Sequence, residues 1–522
     1  MKKSKKFLFD GLLLTATALI MRTVGVAFNA YTADKLGESG MGLFSLVMSV
    51  YTFAVTFATS GINLAATRLT AEALGRGSDT EVRCAMRRCI IYSLFFGTVG
   101  GAGLYAGSDF FGRVLMGDAR TVSSLRLLSF ALPFLAVSAA LAGYFTAVRR
   151  VAKNAFCQFF EQILKIILTV AGFALLLPKG LEYGCIALVG ASMLGEVASF
   201  LLALGLYLHD LHKHNKKTGA YRPHLTKELC KVALPVAVSA YFRSGLVTAE
   251  HMAIPWGLKK YGHSPDAALA SYGVIQGMVL PVVLYPAAFL NAFSSLLVPE
   301  FAEEIAAGHS RRTEHIATKA IGATLLFSIG IAGIMMSYAE ALGNAIYDSA
   351  ECGHYIRILA ALIPVMYLDG VVDGMLKGVG FQFYSMVVNM IDASLCLIMV
   401  IVLVPRIGIM GYVITLFAAE ILNYALSTVK LLSHMRLDLR LTARVLKPII
   451  CVIGATTISH LLGEVFPLGV WTQMVFSFLL YIGLLLTTFS ITGEDLRWFG
   501  GILFTRKPTR IKRKSEKVFH II

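Results

Sequence analysis

Charge is scarce in this 522-residue chain: only 15% of residues are Asp, Glu, Lys or Arg, and tryptophan occurs three times. A soluble domain carries roughly a quarter charged residues, so a set of soluble domains is excluded. The eight cysteines, Cys84, Cys89, Cys157, Cys185, Cys230, Cys352, Cys396 and Cys451, form no CxxC pair and fall mostly in apolar stretches. They read as small hydrophobic residues, not as a disulfide framework or metal site. His212 and His214 share a loop without thiol or carboxylate companions at ligand spacing, so no metal is expected. Also missing are a Walker loop, an HExxH helix, a Gly-x-Ser-x-Gly elbow and any long polar loop with paired carboxylates. Neither ATP hydrolysis nor a cofactor is expected, and the chain does not read as an enzyme.

What is abundant is apolar length. Hydrophobic residues make up 57% of the chain and the mean hydropathy is +0.71, which marks a polytopic membrane protein. Fourteen windows are long enough to span: 7–31, 42–70, 88–107, 122–147, 155–177, 184–208, 232–253, 268–298, 317–338, 356–376, 383–404, 408–432, 448–463 and 470–490. The first follows Lys2, Lys3, Lys5 and Lys6, but its run is too long for a secretory signal and lacks a small-residue cleavage site, so it is read as a retained span.

Charge sets the expected orientation. Even-numbered connections carry Arg76, Arg83, Arg87 and Arg88, then Arg149, Arg150 and Lys153, then Lys213, Lys216, Lys217, Arg222, Lys227 and Lys231. Odd-numbered ones hold few cations, such as Lys35, Lys179, Lys259 and Lys260. The positive-inside rule therefore places both termini in the cytoplasm. The same loops, with the tail Arg506, Lys507, Arg510, Lys512, Arg513, Lys514 and Lys517, account for most of the +16 formal charge. That tail is expected against anionic lipid headgroups. No basic, aromatic-interleaved module points to nucleic acid.

The chain repeats itself. Arg22 precedes Asn29 as Arg243 precedes Glu250, and Asn63 precedes Glu72 as Asn291 precedes Glu300. Arg126, Pro133, Gly143 and Glu161 recur 231 positions later as Arg357, Pro364, Gly374 and Asp392, while Gly184 and Glu196 recur 224 later as Gly408 and Glu420. An ordered series with a slowly drifting offset signals duplication. The expected fold is an all-α polytopic membrane protein of fourteen transmembrane helices, in two pseudo-symmetric six-helix lobes related about the membrane normal, plus a C-terminal hairpin. The expected units are lobe 1–208, cytoplasmic linker 209–231, lobe 232–432, hairpin 433–490 and basic tail 491–522. Intramembrane prolines Pro133, Pro235, Pro281, Pro286 and Pro364 should kink their helices.

The informative residues are charges inside apolar helices. Arg22 and Arg243 fall near the centres of their spans, where a cation costs several kcal/mol and marks a cavity or pathway. A guanidinium is a planar donor fork that matches a phosphate in two-point contact. Arg68 lies nearer the cytoplasmic end of its span, where snorkelling to the interface is an alternative. For Arg243 the competing role is an ion pair with Glu250. Acids are Glu161, Glu196, Asp369, Asp373, Asp392 and Glu420. Glu161 with Lys165, and Asp373 with Lys377, stand four apart and suit neutralising pairs. Asp369, Asp373, or Glu250 beside His251 are alternatively sites for a coupling H+ or Na+.

Several stretches carry a family resemblance: Arg22-Thr23-Val24-Gly25 through Tyr31, Lys35-Leu36-Gly37 to Gly42, Ser60-Gly61-Ile62-Asn63 before Arg68, and Leu297-Val298-Pro299-Glu300-Phe301. They resemble the polysaccharide flippase family, in its stage V sporulation protein B-like branch, and the related lipid II flippases of the multidrug/oligosaccharidyl-lipid/polysaccharide exporter superfamily. The likeness covers essentially the whole chain. It implies a V-shaped pair of lobes around a cationic cavity that alternates between membrane faces and moves an undecaprenyl-pyrophosphate-linked saccharide outward. It also implies pyrophosphate-binding roles for Arg22, Arg243 and Arg68, and a lipid-tail groove near residues 448–490. Two other readings compete. A multidrug antiporter of the same superfamily would present an acidic cavity dominated by Glu250, Asp369 or Asp373. A membrane glycosyltransferase would need a catalytic loop that this chain lacks.

Overall fold

The computed structural model describes residues 2–213, 225–290, 294, 297, 301, 305, 310–435, 437, 442–465 and 469–491. The basic tail after Ile491, linker residues 214–224 including His214, and Asn291, Val298, Pro299 and Glu300 lie outside the described residues. All extended elements among the described residues are helical. In the first half they are α1 (Lys2–Thr59), α2 (Ile62–Gly75), α3 (Asp79–Asp109), α4 (Arg120–Ser129), α5 (Leu132–Ala147), α6 (Val151–Leu176) and α7 (Leu181–Lys213). Then come α8 (Leu225–Tyr261), α9 (Pro265–Tyr272), α10 (Leu280–Val283), α11 (Ser310–Ser337), α12 (Ala339–Tyr347), α13 (Ala350–Ala360), α14 (Ile363–Val379), α15 (Gln382–Ile407), α16 (Ile409–Leu432), α17 (Lys447–Val465) and α18 (Val470–Thr487).

Eleven helices among these residues are long and apolar enough to cross a membrane, or up to thirteen if each bent pair is one span. The fourteen expected windows do not map one to one. Ile20–Gly75 is a single 56-residue stretch that covers two of them. A straight helix of that length would reach about 84 Å, against a hydrocarbon core of about 30 Å. The stretch is interrupted at Gly37, whose φ of 68° and ψ of 178° are non-helical and suit a residue without a Cβ. A second break falls between Thr59 and Ile62.

The duplication is visible in local structure. The pairs α4–α5 and α13–α14 bend by 46° and 53°. In each, a proline without an N–H, Pro133 or Pro364, opens the second helix. Cross-helix hydrogen bonds follow suit. Asn63 Nδ2 donates to the Ala139 carbonyl at 3.3 Å, and Ser294 Oγ donates to the Gly370 carbonyl at 3.1 Å. Those two acceptors are 231 positions apart, the repeat's own offset.

Helices α17 and α18 pack on α11. The buried Tyr481 hydroxyl donates to the Leu326 carbonyl at 2.7 Å, and the Tyr338 hydroxyl lies 3.0 Å from both Ser459 Oγ and Ser477 Oγ. The two halves meet along α1. After Gly37 one face of α1 carries Leu46, Val47 and Val50, all buried, and another carries Ser45, Ser49 and Thr52 toward an interior cavity.

Candidate functional site

A cavity of about 290 Å³ lies between α1, α8 and the π-helical segment Gly273–Val279. Its polar lining includes Asn29, Ser45, Ser49, Thr248, His251 and Gln276, with Met41, Phe44 and Met48 as apolar wall. No Asp, Glu, Lys or Arg lines it among the described residues. Hydrogen bonds fasten α8 to α1 beside it: Thr248 Oγ1 to the Ser49 carbonyl at 3.1 Å, Ser244 Oγ to Thr56 Oγ1 at 3.3 Å, and the Tyr241 hydroxyl to the Phe57 carbonyl at 3.0 Å.

Arg22 and Arg243 stand just beyond the cavity, and both are exposed. Asn29 follows Arg22 by two turns on one helix face, about 10 Å along the axis, and Val247 in the cavity wall follows Arg243 by about one turn. Neither arginine forms an ion pair among the described residues, so the Arg243–Glu250 pair is absent there. Arg22 is within electrostatic reach of the Tyr367 hydroxyl on α14, and Arg243 of Asp369 on α14 and Asp392 on α15. Next to Arg22, Thr23 Oγ1 lies 2.7 Å from the Tyr285 hydroxyl. Arg68 differs. Its Nε is 3.0 Å from Glu72 Oε1, four residues on, with the arginine side chain 62% exposed.

The acids sort into two groups. In the second half Glu250 is buried within electrostatic reach of Asp392, and Glu420 within reach of both Asp369 and Asp392. Asn423 Nδ2 donates to Asp369 Oδ2 at 3.2 Å, while Asp369 Oδ1 is buried with no hydrogen-bond partner among the described residues. Asp373 is neutralised by Lys377 and also accepts from Ser385. In the first half the Tyr51 hydroxyl donates to Glu196 Oε2 at 2.7 Å, and Glu161 and Lys165 lie within reach of Glu196. The Lys165 ammonium sits 5.9 Å from the Phe28 ring centroid instead of closing an ion pair with Glu161. Carboxylates that match in the repeat, Glu161 with Asp392 and Glu196 with Glu420, thus gather with their partners inside each half.

Glu250 and His251, adjacent in sequence, part company. Glu250 joins the acids, whereas His251 lines the cavity with Nδ1 3.1 Å from the Tyr272 hydroxyl. No group of three or more His, Cys, Asp or Glu among the described residues is arranged to hold a metal ion. Gln276, Tyr272 and Thr248 were not candidates from sequence, and Asn29 served only to mark the repeat. A neutral amide or hydroxyl in an apolar helix carries little of the energetic penalty that singles out an arginine.

Residues 8–250 match the family model described as polysaccharide biosynthesis protein, and residues 258–403 match the MatE model. Stage V sporulation protein B of Bacillus subtilis (strain 168) is 25% identical over 438 residues, covering 80% of this chain and 82% of that protein. The chain thus carries a polysaccharide biosynthesis match through most of its first half and a MatE match through much of its second, and it is similar to the polysaccharide flippase family. Lipid II flippase MurJ of the same organism is 22% identical over 341 residues, 59% of each chain. The solved structure of lipid II flippase MurJ in an inward closed conformation shares the fold, with a TM-score of 0.71 over 93% of this chain and all of that one, at 13% identity. The many apolar helices together with these relatives mark a multi-pass membrane protein of the flippase and transporter class.

Proposed function

We propose that this chain is an alternating-access flippase that moves an undecaprenyl-pyrophosphate-linked saccharide, lipid II or another cell-wall or polysaccharide precursor, from the cytoplasmic to the outer leaflet. The observation that carries this reading is the placement of Arg22 and Arg243. Two exposed guanidiniums without an ion-pair partner among the described residues stand at the edge of a polar cavity between the halves. Dragging a pyrophosphate through hydrocarbon unaided is prohibitive, and fixed cations with a polar path remove that desolvation cost. Arg68 has a lesser role here because Glu72 already engages it.

The reading keeps fourteen spans, two six-helix lobes, both termini in the cytoplasm and the basic tail against anionic lipid. It assigns no catalysis. The carboxylates near Arg243 supply a place for a coupling H+ or Na+, with Asp369, one oxygen of which is unpaired among the described residues, a better candidate than Asp373. A multidrug antiporter is the second reading, supported by the MatE match and by the acids of the second half. Against it, no carboxylate among the described residues lines the cavity.

The test is lipid II translocation in a flippase-depleted bacterium, with Arg22→Ala and Arg243→Ala compared with wild type at matched membrane expression. Rescue by wild type and loss in both variants is the expected outcome. A well-expressed wild type that fails moves the cargo to other polyprenyl-linked glycans or to drugs. Undiminished variants make the arginines structural.

A further inference from the structure

The cavity lining is both uncharged and braced. Three tyrosines hold three of its polar side chains, Tyr272 from within the lining itself. The Tyr412 hydroxyl, from α16, donates to Gln276 Oε1 at 3.0 Å. The Tyr347 hydroxyl, from α12, is 2.9 Å from both Asn29 Oδ1 and the Met278 carbonyl oxygen. Tyr272 holds His251 as described above. Tyr412 and Tyr272 are almost wholly buried and Tyr347 nearly so. Their hydroxyls therefore have no bulk water to turn to, and the side chains they hold are fixed in orientation.

With their oxygens engaged by tyrosine hydroxyls, the amides of Gln276 and Asn29 keep their NH2 donors for whatever enters the cavity. The nearby hydroxyls are used the other way round. Ser49 Oγ donates to the Leu46 carbonyl, Thr52 Oγ1 to the Met48 carbonyl and Thr248 Oγ1 to the Ser49 carbonyl, at 2.8, 2.7 and 3.1 Å. Their hydrogens are committed to backbone, and their lone pairs remain as acceptors. Neutral donors and neutral acceptors thus line one space of about 290 Å³. Hydroxyl groups, each donor and acceptor at once, complement such a wall. A carboxylate would sit in it unpaired and desolvated.

We infer that this cavity binds an uncharged sugar residue, and that Gln276 and Asn29, positioned by Tyr412 and Tyr347, determine specificity for it. The inference rests on the flippase reading and deepens it: the diphosphate belongs at Arg22 and Arg243, and the first sugar lies beyond it, one to two helical turns further along α1 and α8. Gln276 is carried by a π-helical segment, an element that recurs at functional sites and here turns the side chain toward α16.

The experiment measures dissociation constants of the purified full-length protein in nanodiscs for three lipids: bare undecaprenyl diphosphate, the same lipid bearing one uncharged hexose, and the same lipid bearing one uronic acid. The expected wild-type result is binding of the hexosyl lipid tighter than the bare lipid by about fivefold or more, the worth of one good buried hydrogen bond. The uronic acid should confer no such gain. Gln276→Leu and Asn29→Leu should bring the hexosyl-to-bare ratio toward one, and Tyr412→Phe should lower it part of the way. If the leucine variants do not fold, Gln276→Glu and Asn29→Asp replace them, since each keeps the tyrosine contact and removes the NH2 donors. A wild-type ratio of one, or a ratio untouched by these substitutions, overturns the inference. The flippase reading fails separately, if bare undecaprenyl diphosphate binds no more weakly to Arg22→Ala and Arg243→Ala than to wild type.

Discussion

Substituting Gly273 by alanine should wedge the two halves apart at the end where Gly37 lies. A Cβ at position 273 would stand 2.2 Å from the Glu38 carbonyl oxygen and 2.5 Å from the Gly42 nitrogen, both backbone atoms of α1. The crossing is equally tight from the other side, where a Cβ on Gly42 would be 1.9 Å from the Leu269 carbonyl oxygen. Ordinary contact begins at 3.4 Å, so the segments must separate by more than 1 Å, and no side chain can swing away to absorb it. Overpacking of this kind costs about 1–3 kcal/mol. Contacts around the crossing share the strain: Ser349 Oγ to Glu38 Oε1 at 3.0 Å and Arg120 to Asp266 at 2.8 Å. If this end opens during transport, the cost falls only on the closed form and shifts the equilibrium toward opening by roughly 5- to 150-fold. The assay is labelling of a cavity residue, Ser45→Cys, by a membrane-impermeant maleimide added outside cells. With Gly273→Ala the labelling rate should rise by about fivefold or more. An unchanged rate at matched expression, with a lowered melting temperature, would refute the reasoning, because the cost would then fall on the whole fold.

Tyr481→Ala removes a buried ring and its 2.7 Å hydrogen bond to Leu326. A loss of about 3–5 kcal/mol follows, read as a marked fall in melting temperature of the detergent-purified protein, with the α17–α18 hairpin loosened first in hydrogen exchange. Asp210→Ala leaves Arg150 and Lys153 without the carboxylate they share, which is 1% exposed. Because both cations are partly solvated, the expected cost is about 1–3 kcal/mol, measured by the same melt. Arg68→Ala should cost under about 0.5 kcal/mol, since its partner is an exposed neighbour four residues on, and translocation should persist. A large loss of transport at matched expression would show that Arg68 acts on the cargo directly.

Membrane residence, the duplication and the helix bends at Pro133 and Pro364 were legible in the sequence, because apolar length, repeated spacing and a missing backbone N–H act locally. Arg22 and Arg243 stand out in the sequence as candidates for the same kind of reason, since the cost of a charge in hydrocarbon does not depend on knowing its neighbours. Tertiary structure decided which of those charges have partners. Arg68 has Glu72 and Asp373 has Lys377, whereas Lys165 reaches toward the Phe28 ring and Glu250 is separated in role from its neighbour His251. It also decided the cavity, whose bracing pairs Tyr347 with Asn29 and Tyr412 with Gln276 lie 318 and 136 residues apart. No local pattern announces such pairs: a neutral amide gains its meaning only when folding brings a buried hydroxyl to one end of it and leaves the other end facing open space.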